Sequence, residues 1–464
     1  MARTGAPGAR EEPRLPRRLR LPIAMAALLA AAPAPARAQE LLTLPAAIRT
    51  ALGENPSLAA SHEAVEAADG RIGQAVAGFL PQVAVTATYR RSTQNSASPP
   101  WISIPEGSPS TLKSAFAREP TNVSYDNLAA TISLNQTIWD FGRTLGAYRS
   151  AKASRHASES DLAAAADAVR LDVISAYFGV LAGEAGMAAA GEVRRQMERH
   201  LDLAKAQVAV GLRQRIDVTR AESDLATADL GLVRARNAVR LARVGLLAAM
   251  GVEAGPEFKV EKPAAPAEPA APDDAAAVSA ALDKRPEYKA LRDRAAAAEA
   301  AATTAKSGWL PTLGANASYG HSGYRFSDLP YNWAVGLSLT WTAFDGLRTY
   351  HAGREAEANA RAAAAQLRVL EVSIRTEVES AVLAHAEARE SLAPARALVA
   401  SATETLALAE GRYQAGTGNI VEVADAQAVY SGARTGLIRA EYDVETARAR
   451  LLKATGDLGR AYGD

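Results

Sequence analysis

Four segments of the chain alternate between apolar and polar positions. In the first, Val83, Val85, Ala87 and Tyr89 alternate with Gln82, Ala84, Thr86, Thr88 and Arg90; in the second, Leu128, Ala130, Ile132, Leu134 and Ile138 alternate with Asn127, Thr131, Ser133, Asn135 and Thr137. In the third, Leu313, Ala315, Ala317 and Tyr319 oppose Thr312, Asn316, Ser318 and Gly320. In the fourth, Trp333, Val335, Leu337, Leu339 and Trp341 oppose Asn332, Ala334, Gly336, Ser338 and Thr340. A period of two sends successive side chains to opposite faces, so each segment predicts a strand with one apolar and one polar face. They pair off as two hairpins, about 81–139 and about 311–342. Strands of this length cross a bilayer when tilted. Trp139, Phe141, Trp341 and Phe344 cluster at one end of the hairpins, with Tyr89, Tyr319 and Trp333 towards the other, a distribution that fits aromatic girdles at two membrane interfaces. Alternation alone also fits a soluble sheet with one face on a core.

After each hairpin the pattern changes to a long stretch rich in Ala, Glu, Arg and Leu, read as proline-free helix over about 142–210 and about 347–415. Helices of this length span roughly 100 Å and point to coiled-coil packing. Gly211 and Gly416 terminate them, because glycine takes the left-handed cap conformation without strain. Return helices are predicted over about 217–250 and about 421–455.

The two halves repeat one another. Gly78-Phe79-Leu80-Pro81 with Tyr89 recurs 230 residues on, as Gly308-Trp309-Leu310-Pro311 with Tyr319. Trp139-Asp140 with Arg143 returns 205 residues on as Phe344-Asp345 with Arg348. At that same offset Gly211, Ile216-Asp217-Val218 and Gly251 return as Gly416, Val421-Glu422-Val423 and Gly456. The two offsets differ because the Ser/Pro-rich stretch from Ser92 to Ser124 has only a short counterpart around Ser322 to Pro330. The chain therefore divides into a first repeat, 39–251, a Pro/Ala-rich linker, 252–274, and a second repeat, 275–464.

Composition narrows the location. Residues 1–38 carry seven arginines against Glu11 and Glu12, then an apolar run from Leu21 to Ala32 and a small-x-small site at Ala36-Arg37-Ala38. That is the pattern of a secretory signal peptide, and no later stretch reads as a transmembrane helix. The remaining chain is mildly acidic, which offers no electrostatic footprint for nucleic acid. The 464 residues include no cysteine, which removes thiolate metal sites, disulfides and cysteine nucleophiles. Six histidines (His62, His156, His200, His321, His351 and His385) lack metal-ligand spacing, and Gly416-Thr417-Gly418 is too short for a dinucleotide fingerprint. No enzyme, metal or cofactor is expected. An open sheet edge in hydrocarbon leaves backbone groups unpaired, so only closed barrels survive there. Two hairpins cannot close a barrel, and copies of the chain must pool strands in multiples of four.

Together these features resemble the outer-membrane efflux protein family, the TolC-like ducts, over essentially the whole mature chain. The resemblance rests on the duplicated Gly-x-Leu-Pro strand entry, the aromatic-Asp turns and two helix-tip motifs: Val210-Gly211-Leu212 with Ile216-Asp217-Val218, and Tyr413-Gln414-Ala415-Gly416-Thr417 with Val421 to Gln427. It implies a mixed α and β membrane protein, a homotrimer whose 12-stranded β-barrel continues as a 12-helix periplasmic α-barrel. It further implies an exit duct of a tripartite efflux or type I secretion system in the outer membrane, in contact with its lipid and extending into the periplasm. The energy would come from an inner-membrane pump of RND or ABC type through a periplasmic adaptor protein. By the same resemblance Glu422 and Asp425 line a periplasmic constriction, and Val210, Gly211, Leu212, Ala415, Gly416 and Thr417 form the adaptor-docking tips. A closed-state network is implied through Tyr413, Asp217 and an arginine two residues past the second glycine. Gly418 stands in that arginine's place, with Arg213 or Arg215 open as substitutes. The rival reading is a soluble periplasmic coiled-coil scaffold, which fractionation separates from a duct.

Overall fold

The computed structural model describes residues 40–93, 109, 124–253, 258–263 and 274–462. The signal peptide expected over 1–38, most of the stretch between Ser92 and Ser124 and much of the 252–274 linker lie outside the described residues. Within that linker, however, Phe258–Val260 is a strand (β4), paired in parallel with β1 (Glu40–Leu42). The backbone leaving the first repeat is tied to the backbone entering it.

The alternating segments form one four-stranded antiparallel sheet in the order β2 (Gln82–Thr93), β3 (Ser124–Trp139), β5 (Thr312–Gly323) and β6 (Tyr331–Thr340). The second hairpin adds directly to the first through β3 and β5. Register keeps the two faces unmixed. Val83, Leu134, Ala317 and Val335 stand side by side across the sheet, as do Val85, Ile132, Tyr319 and Trp333. Gln82, Asn135, Asn316 and Gly336 form a row on the other face. A slip of one residue would exchange the faces, so apolar patterning and register specify each other. Among the described residues nothing covers the apolar face: Val335 is 74% and Leu337 75% exposed. Among the described residues, β2 and β6 each leave one edge unpaired.

Nine helices are described: α1 (Leu44–Glu54), α2 (Pro56–Ala77), α3 (Arg143–Ala209), α4 (Arg215–Met250), α5 (Asp274–Lys284), α6 (Pro286–Lys306), α7 (Arg348–Gln414), α8 (Ile420–Thr455) and α9 (Leu458–Tyr462). The two long helices, α3 and α7, have 67 residues each, or about 100 Å at 1.5 Å per residue. In the half nearer the sheet, α3 packs against α2 and α6, and α6 packs against α7. In the half nearer the tips, α3 packs against α4 and α8, and α8 packs against α7.

The shorter helices stack end on end. The Asn55 side chain caps α2 through the Ser57 amide at 2.9 Å, and its Nδ2 donates to Ala249 O at the end of α4 at 3.0 Å. In the second repeat, Gly456 after α8 sits against Lys284 and Arg285, the residue that precedes α6. The wall thus has four columns, two continuous and two built from stacked pieces.

The largest core lies around these junctions. Leu44 and Ile48 of α1, Val173, Ile174, Tyr177 and Phe178 of α3, Leu246 and Met250 of α4, Val260 and Leu458 pack together there. The Tyr177 hydroxyl lies 3.0 Å from Leu42 O and 2.6 Å from Glu261 O, and holds β1 against β4 from below. Two readings of the sequence are corrected here. A window of α3 with mean hydropathy 1.4 is long and apolar enough by composition to cross a membrane. The same helix supplies the core with its largest apolar cluster, which accounts for that hydropathy. The second long stretch is also not free of proline: Pro394 lies inside α7, and the helix continues unbroken past it. Pro394 is exposed, so the carbonyl it leaves unpaired can be met by water.

Candidate functional site

The far ends of the two helical hairpins, α3–α4 and α7–α8, bring together most of the residues singled out in the sequence. Local chemistry shapes each end. Gly211 and Gly416 adopt φ of +76° and +78°, the left-handed conformation that closes a helix and turns the chain. Asn419 then caps α8, its Oδ1 accepting from the Val421 amide at 3.2 Å. The first tip exposes an apolar set, with Val210 at 70%, Leu212 at 74% and Ile216 at 68%. At the second tip Ala415, Gly416 and Thr417 are exposed and small or polar.

The two tips are fastened by one arginine. Arg213 donates from Nη2 to the carbonyl oxygen of Gly418 at 3.0 Å, and its guanidinium lies 4.9 Å from the centre of the Tyr413 ring. Arg213 and Gly418 are 205 residues apart, so the arginine that reaches the second tip comes from the repeat-equivalent position of the first. Repeat alignment carried this signal; the reach of Arg213 to Gly418 itself did not follow from it. Higher up, Gln196 and His200 of α3 both meet Glu410 of α7, the histidine at 3.0 Å.

Tyr413 is 1% exposed, within a cluster of Leu406, Ala409, Ile420, Val423 and Ala426. Its hydroxyl has no hydrogen-bond partner among the described residues. Burial, then the Asp217 carboxylate, pushes the Tyr413 hydroxyl above its ordinary pKa, while Arg213 acts in the opposite direction. Asp217 sits in the first turn of α4, close enough to act electrostatically on Tyr413, but no bond joins them.

Glu422 lies in the first turn of α8, where a carboxylate is favoured by the helix dipole. It is not free. Arg412, in the last turn of α7, places Nη1 2.7 Å from Glu422 Oε1. Asp425, one turn on, is exposed and makes no polar contact among the described residues. Arg412 was missed in the sequence because the pairing needs the Gly416 turn to fold α7 back over α8. The ten-residue spacing carries no motif of its own.

The aromatic residues singled out in the sequence lie on the strands or just beyond their ends. Trp139 and Phe141 meet edge to face, with ring centres 5.9 Å apart, and Trp341 Nε1 donates to Trp309 O at 3.1 Å. Phe344 is 77% exposed. Tyr319 stands beside Trp333 across β5 and β6 and stacks on Tyr331, while the Tyr89 hydroxyl donates to Asp126 at 3.0 Å. Below the lower aromatics, Asp140 accepts from the Thr144 amide at 2.7 Å and from the Thr144 hydroxyl. Asp345 does the same for Thr349, at 3.0 and 2.6 Å. These carboxylates start the two long helices directly beneath the sheet. Burial opposes ionisation of Asp140, but the Thr144 and Gly142 donors outweigh it, and its carboxyl is held below the usual range. The Thr349 hydroxyl does so for Asp345.

Comparison with known proteins agrees with this architecture. The family model described as outer membrane efflux protein matches residues 47–252 and 277–457. Protein CyaE of Bordetella pertussis is 26% identical over 441 residues, covering 92% of this chain and 87% of that protein. A solved membrane protein of Pseudomonas aeruginosa superposes with a TM-score of 0.78 at 23% identity, over 89% of this chain and 93% of the other. The outer-membrane channel OprN gives 0.77 at 19% identity over 89% of each.

Proposed function

The chain belongs to the outer membrane efflux protein family, a family of channels and not of enzymes, and from that premise we propose that it is the passive exit duct of a tripartite efflux or type I secretion system. The observation that carries this reading is the unfinished sheet. A surface bearing Val83, Val85, Val335, Leu337 and Leu339, with open edges at β2 and β6, is stable in hydrocarbon only when other copies complete it. Three copies would give twelve strands from the four of each chain.

The helical wall supports the same assembly. Leu230, Val233, Leu241 and Val244 are exposed on α4, and Leu383, Leu398 and Leu408 on α7. These are the outer columns of the half nearer the tips, and an α4 face of one subunit meets an α7 face of the next in a closed ring. Such a ring has one apolar band in the outer membrane, a lumen lined by the Gln82, Asn135 and Asn316 row, and helix tips about 100 Å below. Glu422 and Asp425 converge there as an acidic constriction, with Arg213 fastening the tips through Gly418 and the Tyr413 ring behind it and Asp217 nearby. The exposed Val210, Leu212 and Ile216 give a periplasmic adaptor an apolar foothold, and an inner-membrane pump supplies the energy.

The experiment is to fractionate cells and weigh the detergent-solubilised protein by light scattering with detergent correction. A trimer recovered from the outer membrane is expected. A stable monomer released with the soluble periplasm would sink the proposal and leave a helical scaffold.

A further inference from the structure

We propose that Arg412 sets the ion selectivity of the duct by cancelling Glu422, so that Asp425 alone supplies the effective charge of the constriction. This rests on the reading above, in which these side chains ring the narrow end. The geometry is local to one subunit. Arg412 ends α7, Glu422 begins α8, and the Gly416 turn brings guanidinium and carboxylate to 2.7 Å. Each group sits where its own helix dipole favours it, the cation at a C-terminus and the anion at an N-terminus. The other nearby guanidinium, Arg213, is held by the Gly418 carbonyl and the Tyr413 ring and does not compete. Asp425 has no cation in contact among the described residues.

Among Glu422, Asp425 and Arg412, two acids and one base leave each subunit with one net negative charge, where the acids alone would give two. Both partners of the pair are substantially exposed, 59% and 40% at the side chain, so the pair contributes little to folding. Its consequence is electrostatic. In a ring formed by copies of the chain, fixed charges attract ions of opposite sign and repel those of the same sign. Removing the three copies of Arg412 uncovers three carboxylates at once.

The test uses the purified full-length protein in planar bilayers under a KCl gradient, with magnesium as the blocking cation. Arg412→Gln is expected to raise the potassium-to-chloride permeability ratio by at least roughly fivefold, the effect on one ion of a single unit charge at about 4 Å in water. It should also lower the magnesium concentration that halves the current. Glu422→Gln should move both in the opposite direction, since it frees Arg412. The double variant Arg412→Gln with Glu422→Gln restores the original charge count and should return both to the parent values. If Asp425→Asn shifts selectivity while Arg412→Gln leaves it unchanged, the inference is overturned and the constriction stands. If neither moves it, the constriction reading fails, and this inference fails with it.

Discussion

Tyr177 shows how much can depend on one hydroxyl. The ring is fully buried, and its oxygen lies within hydrogen-bonding distance of carbonyls from both β1 and the segment after β4. Burial pushes its pKa up to about 12. A group whose folded pKa lies above its unfolded value near 10 stabilises fully below pH ~10, and the contribution is lost as pH rises towards ~12. Tyr177→Phe is therefore expected to lower stability by about 1 kcal/mol at neutral pH, the net worth of one hydrogen bond. The difference should shrink as pH climbs from ~10 to ~12. Circular dichroism melts of the two proteins across that range check both statements; equal melting at neutral pH would show that the tie between β1 and β4 does not depend on the hydroxyl. Asp140 and Asp345 obey the opposite sign. Their depressed carboxyls stabilise above the ordinary carboxylate range and lose that contribution as pH falls through the folded values, so the helix starts survive moderate acidification.

Among the elements, the stacked columns place the strictest demand on the backbone. Gly251 has φ +77°, and a Cβ built there would stand 2.7 Å from the Asn55 Cα, a backbone atom that cannot swing away. Gly456 repeats the conformation, with a Cβ 2.8 Å from that of Lys284. Gly251→Ala should therefore destabilise by more than the ~1 kcal/mol that a left-handed non-glycine residue alone costs. Gly53→Ala is the matched control, because Gly53 lies in α1 with nothing within 4 Å of its added methyl, and alanine there should stabilise by about 0.5–1 kcal/mol. Thermal unfolding of the two variants should move in opposite directions. If both rise, the end-to-end stacking of α4 on α2 is looser than described. The repeated Gly-Leu-Pro entries mark a gentler device: a 3₁₀ turn, Ser307–Trp309, joins α6 to β5, while hydrogen bonds from the Gly78, Phe79 and Leu80 amides to the last carbonyls of α2 close the first.

For the whole molecule, the governing fact is that one chain makes an open four-stranded sheet with an apolar face on one side and an amide- and hydroxyl-bearing face on the other. Val335 and Ala334 are neighbours in β6 that point to opposite faces. Val335→Arg is expected to cost about 2–4 kcal/mol if it sits near the bilayer midplane, and to reduce the amount of protein assembled in the outer membrane. Ala334→Arg should assemble normally and alter conductance instead. Measured by membrane fractionation and single-channel recording, the reverse result would turn the sheet inside out.

The chain by itself determined what repeats locally. Period-two alternation marked the strands and their apolar side, Gly211 and Gly416 marked the turns, and the offsets of 230 and 205 residues marked two copies of one unit. Those features are legible because each follows from backbone geometry within a few residues of its signal. Tertiary structure alone decided how the copies join: that β3 pairs with β5, that α4 stacks on α2 and α8 on α6, and that Phe258–Val260 in the linker returns to β1. It alone also placed Arg412 on Glu422 and sent Arg213 to Gly418. Such contacts arise where separate elements meet in space, and a charge or glycine carries no local mark of the distant group it will touch.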